Sequence, residues 1–260
     1  MASNGKTLSG TWTALILVLL TALMIPAAWF LSSGWNFLAL IMLMLLFMIT
    51  LGQNICGRPA GILINERKLM SLARFQMVLW TIIILSAYLT AAITRIKNGG
   101  IGDALGITLD KNLWGLMGIS TASLIGSPLI QTSKKAEEPK DEAVKKAETD
   151  LKEDETEIKK NSQGVLYCNG EIKDAALSDM FEGDEVGDTA FVNVAKVQMF
   201  FFTVVAALSY GMDLFKWIGG QDFIKNSGAF PLLSGGLIAI LGISHAGFLA
   251  NKATTHTPTK

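Results

Sequence analysis

One ionisable side chain lies well inside an uninterrupted apolar run: His245, in Leu241-Gly-Ile-Ser-His-Ala-Gly247. An imidazole held in lipid can relay a proton or bind a ligand, because it titrates near neutral pH. Ser244 precedes it, and a hydroxyl with an imidazole suggests a nucleophile and its base. Adjacent helical residues point about 100° apart, however, so these two do not form that pair directly. His245 also sits about six residues, ~9 Å of rise, from the nearer end of its run. A neutral ring bonded to a neighbouring helix accounts for it.

The other candidate polar groups come in duplicate. Ala73, Gln76, Met77, Thr81 and Tyr88 recur as Ala195, Gln198, Met199, Thr203 and Tyr210 at one constant offset of 122 residues. Ser71 and Asn193, both good helix N-caps, precede the two copies. Arg74 and Lys196 each place a cation before the apolar run. At helical periodicity Ala73, Met77, Thr81 and Tyr88 share a face, as do their counterparts. Helix packing is the preferred reading of that face, and a pore lining is the alternative. Further on, Gly118-Ile-Ser-Thr-Ala122 matches Gly242-Ile-Ser-His-Ala246. Gly118 with Ala122, and Gly242 with Ala246, are small-xxx-small pairs that allow helices to approach closely. Ser120 and Ser244 add hydroxyls able to bond across the contact. A short β-like piece, Gly61-Ile-Leu-Ile64 and Gly164-Val-Leu-Tyr167, leads each copy.

These residues need elements to hold them. Half of the 260 residues are hydrophobic, and the mean hydropathy is +0.41. A membrane helix needs about 20 mostly apolar residues. Six runs meet or approach that length: Thr11–Leu31, Asn36–Leu51, Phe75–Ile93, Leu113–Ile130, Val197–Ile218 and Phe230–Ala250. None carries a central Asp, Glu, Lys or Arg. The first run, preceded only by Lys6 and lacking a good cleavage site, reads as an uncleaved helix rather than a signal peptide. The expected fold is therefore an all-α polytopic membrane protein with six transmembrane helices. A leading hairpin (1–52) is followed by a first repeat (53–130), a charged helix or linker (131–163), a second repeat (164–250) and a disordered tail (251–260). Both copies start on the same side, so they are parallel repeats.

Arg58, Arg67, Lys68 and Arg74 crowd the loop after the second helix, whereas Ser32–Trp35 has no cation. The positive-inside rule then places both termini, the 53–74 loop and the 131–196 segment in the cytoplasm. Cysteines introduced at Gly100 or Ser227 are expected to face outside. Native Cys56 and Cys168 face inside, as free thiols.

Between Lys134 and Lys160 the chain is dense in Lys and Glu, with acid-first pairs such as Glu155/Lys159 that support a helix. Val144, Leu151 and Ile158 are spaced by seven, a thin stripe. A solvated helix is preferred over a weak coiled coil. In the following insertion, Asp179, Glu182, Asp184, Glu185 and Asp188 read as a solvated acidic loop, set against the basic Arg58–Arg74 loop, rather than as a cation site. Twenty-two acidic and 22 basic residues balance, which gives no electrostatic reason for a nucleic-acid partner.

No phosphate-loop, nucleophile-elbow, zinc-protease or dinucleotide signature occurs, so neither an enzyme nor a cofactor is expected. A coupled transporter usually keeps a carboxylate near the midplane. None is present there. Two readings remain. One is a membrane scaffold or sensor, homo-oligomeric, engaging a cytoplasmic protein partner. The other is an oligomeric channel lined by the Thr81 and Thr203 faces.

Several motifs together carry a resemblance. Ser178-Asp-Met-Phe-Glu-Gly-Asp-Glu-Val-Gly187, Lys196-Val-Gln-Met-Phe-Phe-Phe-Thr203 and Leu241–Gly247 are three of them. Arg74-Phe-Gln-Met-Val-Leu-Trp80 and Leu116-Met-Gly-Ile-Ser120 belong with them. From about Gly57 onward the chain resembles a group of uncharacterised bacterial inner-membrane proteins. The resemblance implies a bacterial origin and this topology, and carries no activity.

Overall fold

The computed structural model describes residues 10–32, 34–99, 104–220, 223 and 228–260. Lys6 and the labelling positions Gly100 and Ser227 lie outside them. Six long helices occupy the six apolar runs: α1 (Gly10–Phe30), α2 (Trp35–Cys56), α3 (Leu72–Lys97), α4 (Lys111–Lys134), α7 (Val194–Gly219) and α8 (Gly235–Ala253). Two short helices, α5 (Asp141–Leu151) and α6 (Glu155–Lys160), and a two-stranded ribbon, β1 (Ser162–Gln163) with β2 (Leu166–Tyr167), lie between α4 and α7. The β-like piece expected at Gly61–Ile64 is a 3₁₀ turn over Gly61–Leu63, followed by a single bridge from Ile64 to Met70.

Each long helix has the length and apolar composition to cross a bilayer. Its faces agree. On α1, Val18 is 67% exposed and Ile25 61%. In water such a surface would cost about 25 cal/mol per Å² of apolar area, whereas lipid accepts it. The hydroxyls of Thr21, Thr50, Thr90 and Thr94 donate to carbonyls four residues back, at 2.8–2.9 Å. That satisfies polar atoms which hydrocarbon cannot solvate. The chain is an all-α polytopic integral membrane protein.

Two compact units partition the chain. The first holds residues 1–62, 78–117 and 204–238. Here α1 and α2 form a hairpin, and Ala28 and Leu40 bury against Ile93 of α3, with Met24, Leu43 and Leu89 packed around them. Asn54 donates to Thr13 Oγ1 at 2.7 Å across the hairpin. Past α2 the chain turns back on itself. A Cβ on Gly52 would stand 2.8 Å from the Gly61 nitrogen. We therefore expect Gly61→Ala or Gly52→Ala to lower stability by about 1–3 kcal/mol, the cost of overpacking, read as a lower melting temperature of the purified protein. Tyr88 donates to the Leu105 carbonyl at 2.8 Å, and Tyr210 to the Pro231 carbonyl at 3.2 Å. Each tyrosine thus ties down the loop that follows its own helix.

The helix expected from Phe230 starts at Gly235 instead. Phe230 precedes a proline, which disfavours helical dihedrals, and its N–H bonds the Thr108 carbonyl at 3.0 Å.

The second unit holds residues 63–77, 118–203 and 239–260. Its polar part is folded, not solvated. Helix α5 ends where Lys152 turns left-handed, at φ 59°. Asp154 then caps α6 by accepting from the Glu157 N–H at 2.8 Å. The break folds the seven-residue stripe back on itself: Val144 and Ile158 bury with Ala147 and Val186, and Leu151 packs against them. The expected solvated helix is therefore two helices with a common core. Residues 251–260, read from sequence as a disordered tail, are held in place. Thr257 is 1% exposed, and the Lys140 and Lys260 N–H groups bond Pro258 and Glu138 carbonyls at 2.9 and 3.0 Å.

Candidate functional site: a buried ion network

The second unit is organised around two adjacent carboxylates in the acidic insertion. Asp184 receives three cations. Lys196, in the first turn of α7, is 3.3 Å from its Oδ1, and Lys252, in the last turn of α8, is 3.1 Å from its Oδ2. Arg67 pairs with the same carboxylate, and its Nη1 donates to the Asp184 and Tyr167 carbonyls at 2.9 Å each. Turned so that its oxygen faces them, the Gln131 amide accepts from Lys252 and Arg67, both at 3.0 Å. Burial alone would raise the Asp184 carboxyl. The charges of Lys196, Lys252 and Arg67 outweigh it and hold Asp184 well below the usual carboxylate range.

Glu185 is fully buried and pairs with Lys134 at the end of α4. The Lys134 ammonium also donates to the Thr254 carbonyl at 2.6 Å. The other Glu185 oxygen accepts from the His256 and Thr257 N–H groups at 2.9 and 2.7 Å, which is what holds the tail. Asp179 accepts from the Met70 and Ala176 N–H groups, both at 2.9 Å. The insertion expected to be a solvated loop is thus the electrostatic core of the unit, and it does meet the basic loop, through Arg67. The carboxylates of Asp179, Asp184, Glu185 and Asp188 are spent on cations and N–H groups. Among the described residues no cluster of His, Cys, Asp and Glu could hold a metal ion. Cys168 is a buried free thiol, and burial raises its pKa.

The residues singled out from sequence distribute unevenly. His245 bonds through Nδ1 to Ser123 Oγ at 2.6 Å, not to Ser244. Both partners are buried. Ser120 and Ser244 are buried with their hydroxyls unpartnered among the described residues. Gln76, fully buried, donates to Thr203 Oγ1, so that face of α7 is occupied. Gln198, the counterpart of Gln76, is exposed, and Thr81 is half-buried.

The small-xxx-small expectation fails at Gly118. It is exposed, and a Cβ there meets nothing within 4 Å. Gly242 reaches only ordinary contact, 3.6 Å from Ile119 Cδ1. The buried seam of α4 is instead Ser120, Ser123, Ser127, Gln131 and Lys134, spaced by three and four as a helix face requires. Serine, as small as alanine, does the close packing there. Leucine at Gly118 is accordingly expected to change the melting temperature little, within the ±0.5 kcal/mol of a surface substitution.

Sequence reasoning named Arg67, Lys134, Asp184 and Glu185 only as members of charge runs and Lys196 only as the repeat counterpart of Arg74, and missed Lys252, Gln131 and Ser123. The available signal was the position of the cations, at the ends of apolar runs, with carboxylates clustered in one loop between them.

Comparison with protein-family models, with curated proteins and with solved structures finds no match.

Proposed function

We propose that this protein is a non-catalytic scaffold or sensor of a bacterial inner membrane, homo-oligomeric, acting on a cytoplasmic protein partner through the folded polar cap that residues between α4 and α7 form. Both termini, the 53–74 loop and the 131–196 segment lie in the cytoplasm. The observation that carries the reading is the attachment of the cap. Asp184 and Glu185 join it to the ends of α4, α7 and α8 and to the loop before α3 through Lys134, Lys196, Lys252 and Arg67. A protein bound to the cap is thereby coupled to four membrane helices, as a signal or tether requires.

The tandem repeat belongs to the same proposal. Helices α3 and α7 each have 26 residues. Each opens behind an N-cap whose side chain accepts from the third helical N–H, Ser71 from Arg74 and Asn193 from Lys196. The two tyrosine–carbonyl ties described above are a further correspondence.

The pore reading needs an open Thr203 face, and Thr203 is fully buried with Gln76 on its hydroxyl. Reconstituted vesicles decide between the two. Ion and small-solute flux is expected to equal that of protein-free vesicles, and a photo-cross-linker at Lys145 or Glu155 in cells is expected to give one discrete adduct that one at Leu208 does not. Flux above background, lost on Thr203→Phe, would replace this reading with a channel. Membrane-impermeant thiol reagents applied from outside should label Ser32→Cys and leave Cys56 and Cys168 unmodified. Labelling of Cys168 would reverse the orientation.

A further inference from the structure

A small cavity of about 20 Å³ lies inside the ion network, lined by Arg67, Asp179, Asp184, Lys196, Phe248 and Lys252 among others. Its charge does not balance. Three cations face two carboxylates, and Asp179 is already engaged by two backbone N–H groups. Arg67 is 4% exposed and its Nε has no partner among the described residues. A buried guanidinium N–H left without an acceptor costs free energy, so the position calls for one. The room is that of roughly one water-sized occupant, which excludes carboxylates and phosphates.

From the cavity, the charge excess and the orphaned donor together, we propose that this site binds a single monatomic anion, chloride in the cell. The anion accepts from Arg67 Nε and neutralises the surplus charge of Lys196 and Lys252. Occupancy then fastens the cap to the ends of α7 and α8, and this inference holds whether the protein is a scaffold or a channel.

The test is thermal unfolding of the full chain in detergent, followed by tryptophan fluorescence, as chloride replaces gluconate at constant ionic strength. A ligand that binds only the folded state raises stability with the logarithm of its concentration beyond Kd. A rise of a few degrees is expected, reproduced by bromide and not by sulfate, which is too large. Lys252→Met equalises cations and carboxylates and should abolish the response. Lys260→Met, whose partner is Asp141 at 3.2 Å outside the network, should retain it. Should Lys252→Met fail to fold, an anomalous bromide peak in the cavity of wild-type crystals supports the site, and its absence overturns it. Equal melting in chloride and gluconate overturns the proposal in favour of a water beside a neutral Lys252 amine. A Lys252→Met variant that responds like wild type overturns it too.

Discussion

Glu185→Ala is expected to lower stability by about 3–5 kcal/mol, the range for removing one partner of a buried ion pair. Two losses combine. Lys134, whose side chain is 5% exposed, keeps a charge with no counter-ion. The His256 and Thr257 N–H groups lose their acceptor, and the tail is freed. The measurement is a melting series of the purified protein with Glu185→Ala, Lys134→Met, Glu185→Met and the double Met variant beside wild type. Each single substitution should be severe. The double should recover the part of the loss that comes from the unpaired Lys134 charge, because replacing both charges with packed apolar groups is often near neutral, and not the part that comes from the lost acceptor of the His256 and Thr257 N–H groups. A double variant as unstable as the sum of the singles would mean that the two side chains act independently.

Asp184→Asn should be comparably damaging, since it keeps the shape and removes the charge that three cations share. It also predicts a pH dependence. Because the folded-state pKa of Asp184 is depressed, its contribution is present above the unfolded value near ~3.9 and is lost as pH falls through the folded value. Wild-type melting temperature should therefore drop steeply below about pH 4. The Asp184→Asn protein, already less stable at neutral pH, should show a shallower drop over that range. Parallel curves for the two would show that other carboxylates set the acid limit.

Sequence periodicity and composition sufficed for the spans because lipid imposes one requirement on every residue of a run. Their ends were less legible. Helix α2 continues to Cys56, five residues beyond the apolar run that ends at Leu51, because polar residues such as Gln53 and Asn54 find partners, Asn54 on Thr13. The spacing of Val144, Leu151 and Ile158 was read as the thin stripe of a solvated helix, and the structure packs it into a small core. It could not show that Lys152 would break the helix and fold the stripe on itself. At Gly118 the small residue was evident and its direction was not, because serines on the adjoining face serve the same packing. The ion network was least legible of all. Arg67 and Asp184 are 117 residues apart, and nothing local to either records that they meet.

Asp184 and Glu185 fix the folded cap between α4 and α7 to the helix ends. Hydrogen exchange of the full chain in lipid nanodiscs tests this attachment most directly. Amides of α5, the Glu182–Thr189 stretch and Thr257 should exchange slowly, and Glu185→Ala should release all three together. Rapid exchange across these segments in the wild-type protein would contradict the account.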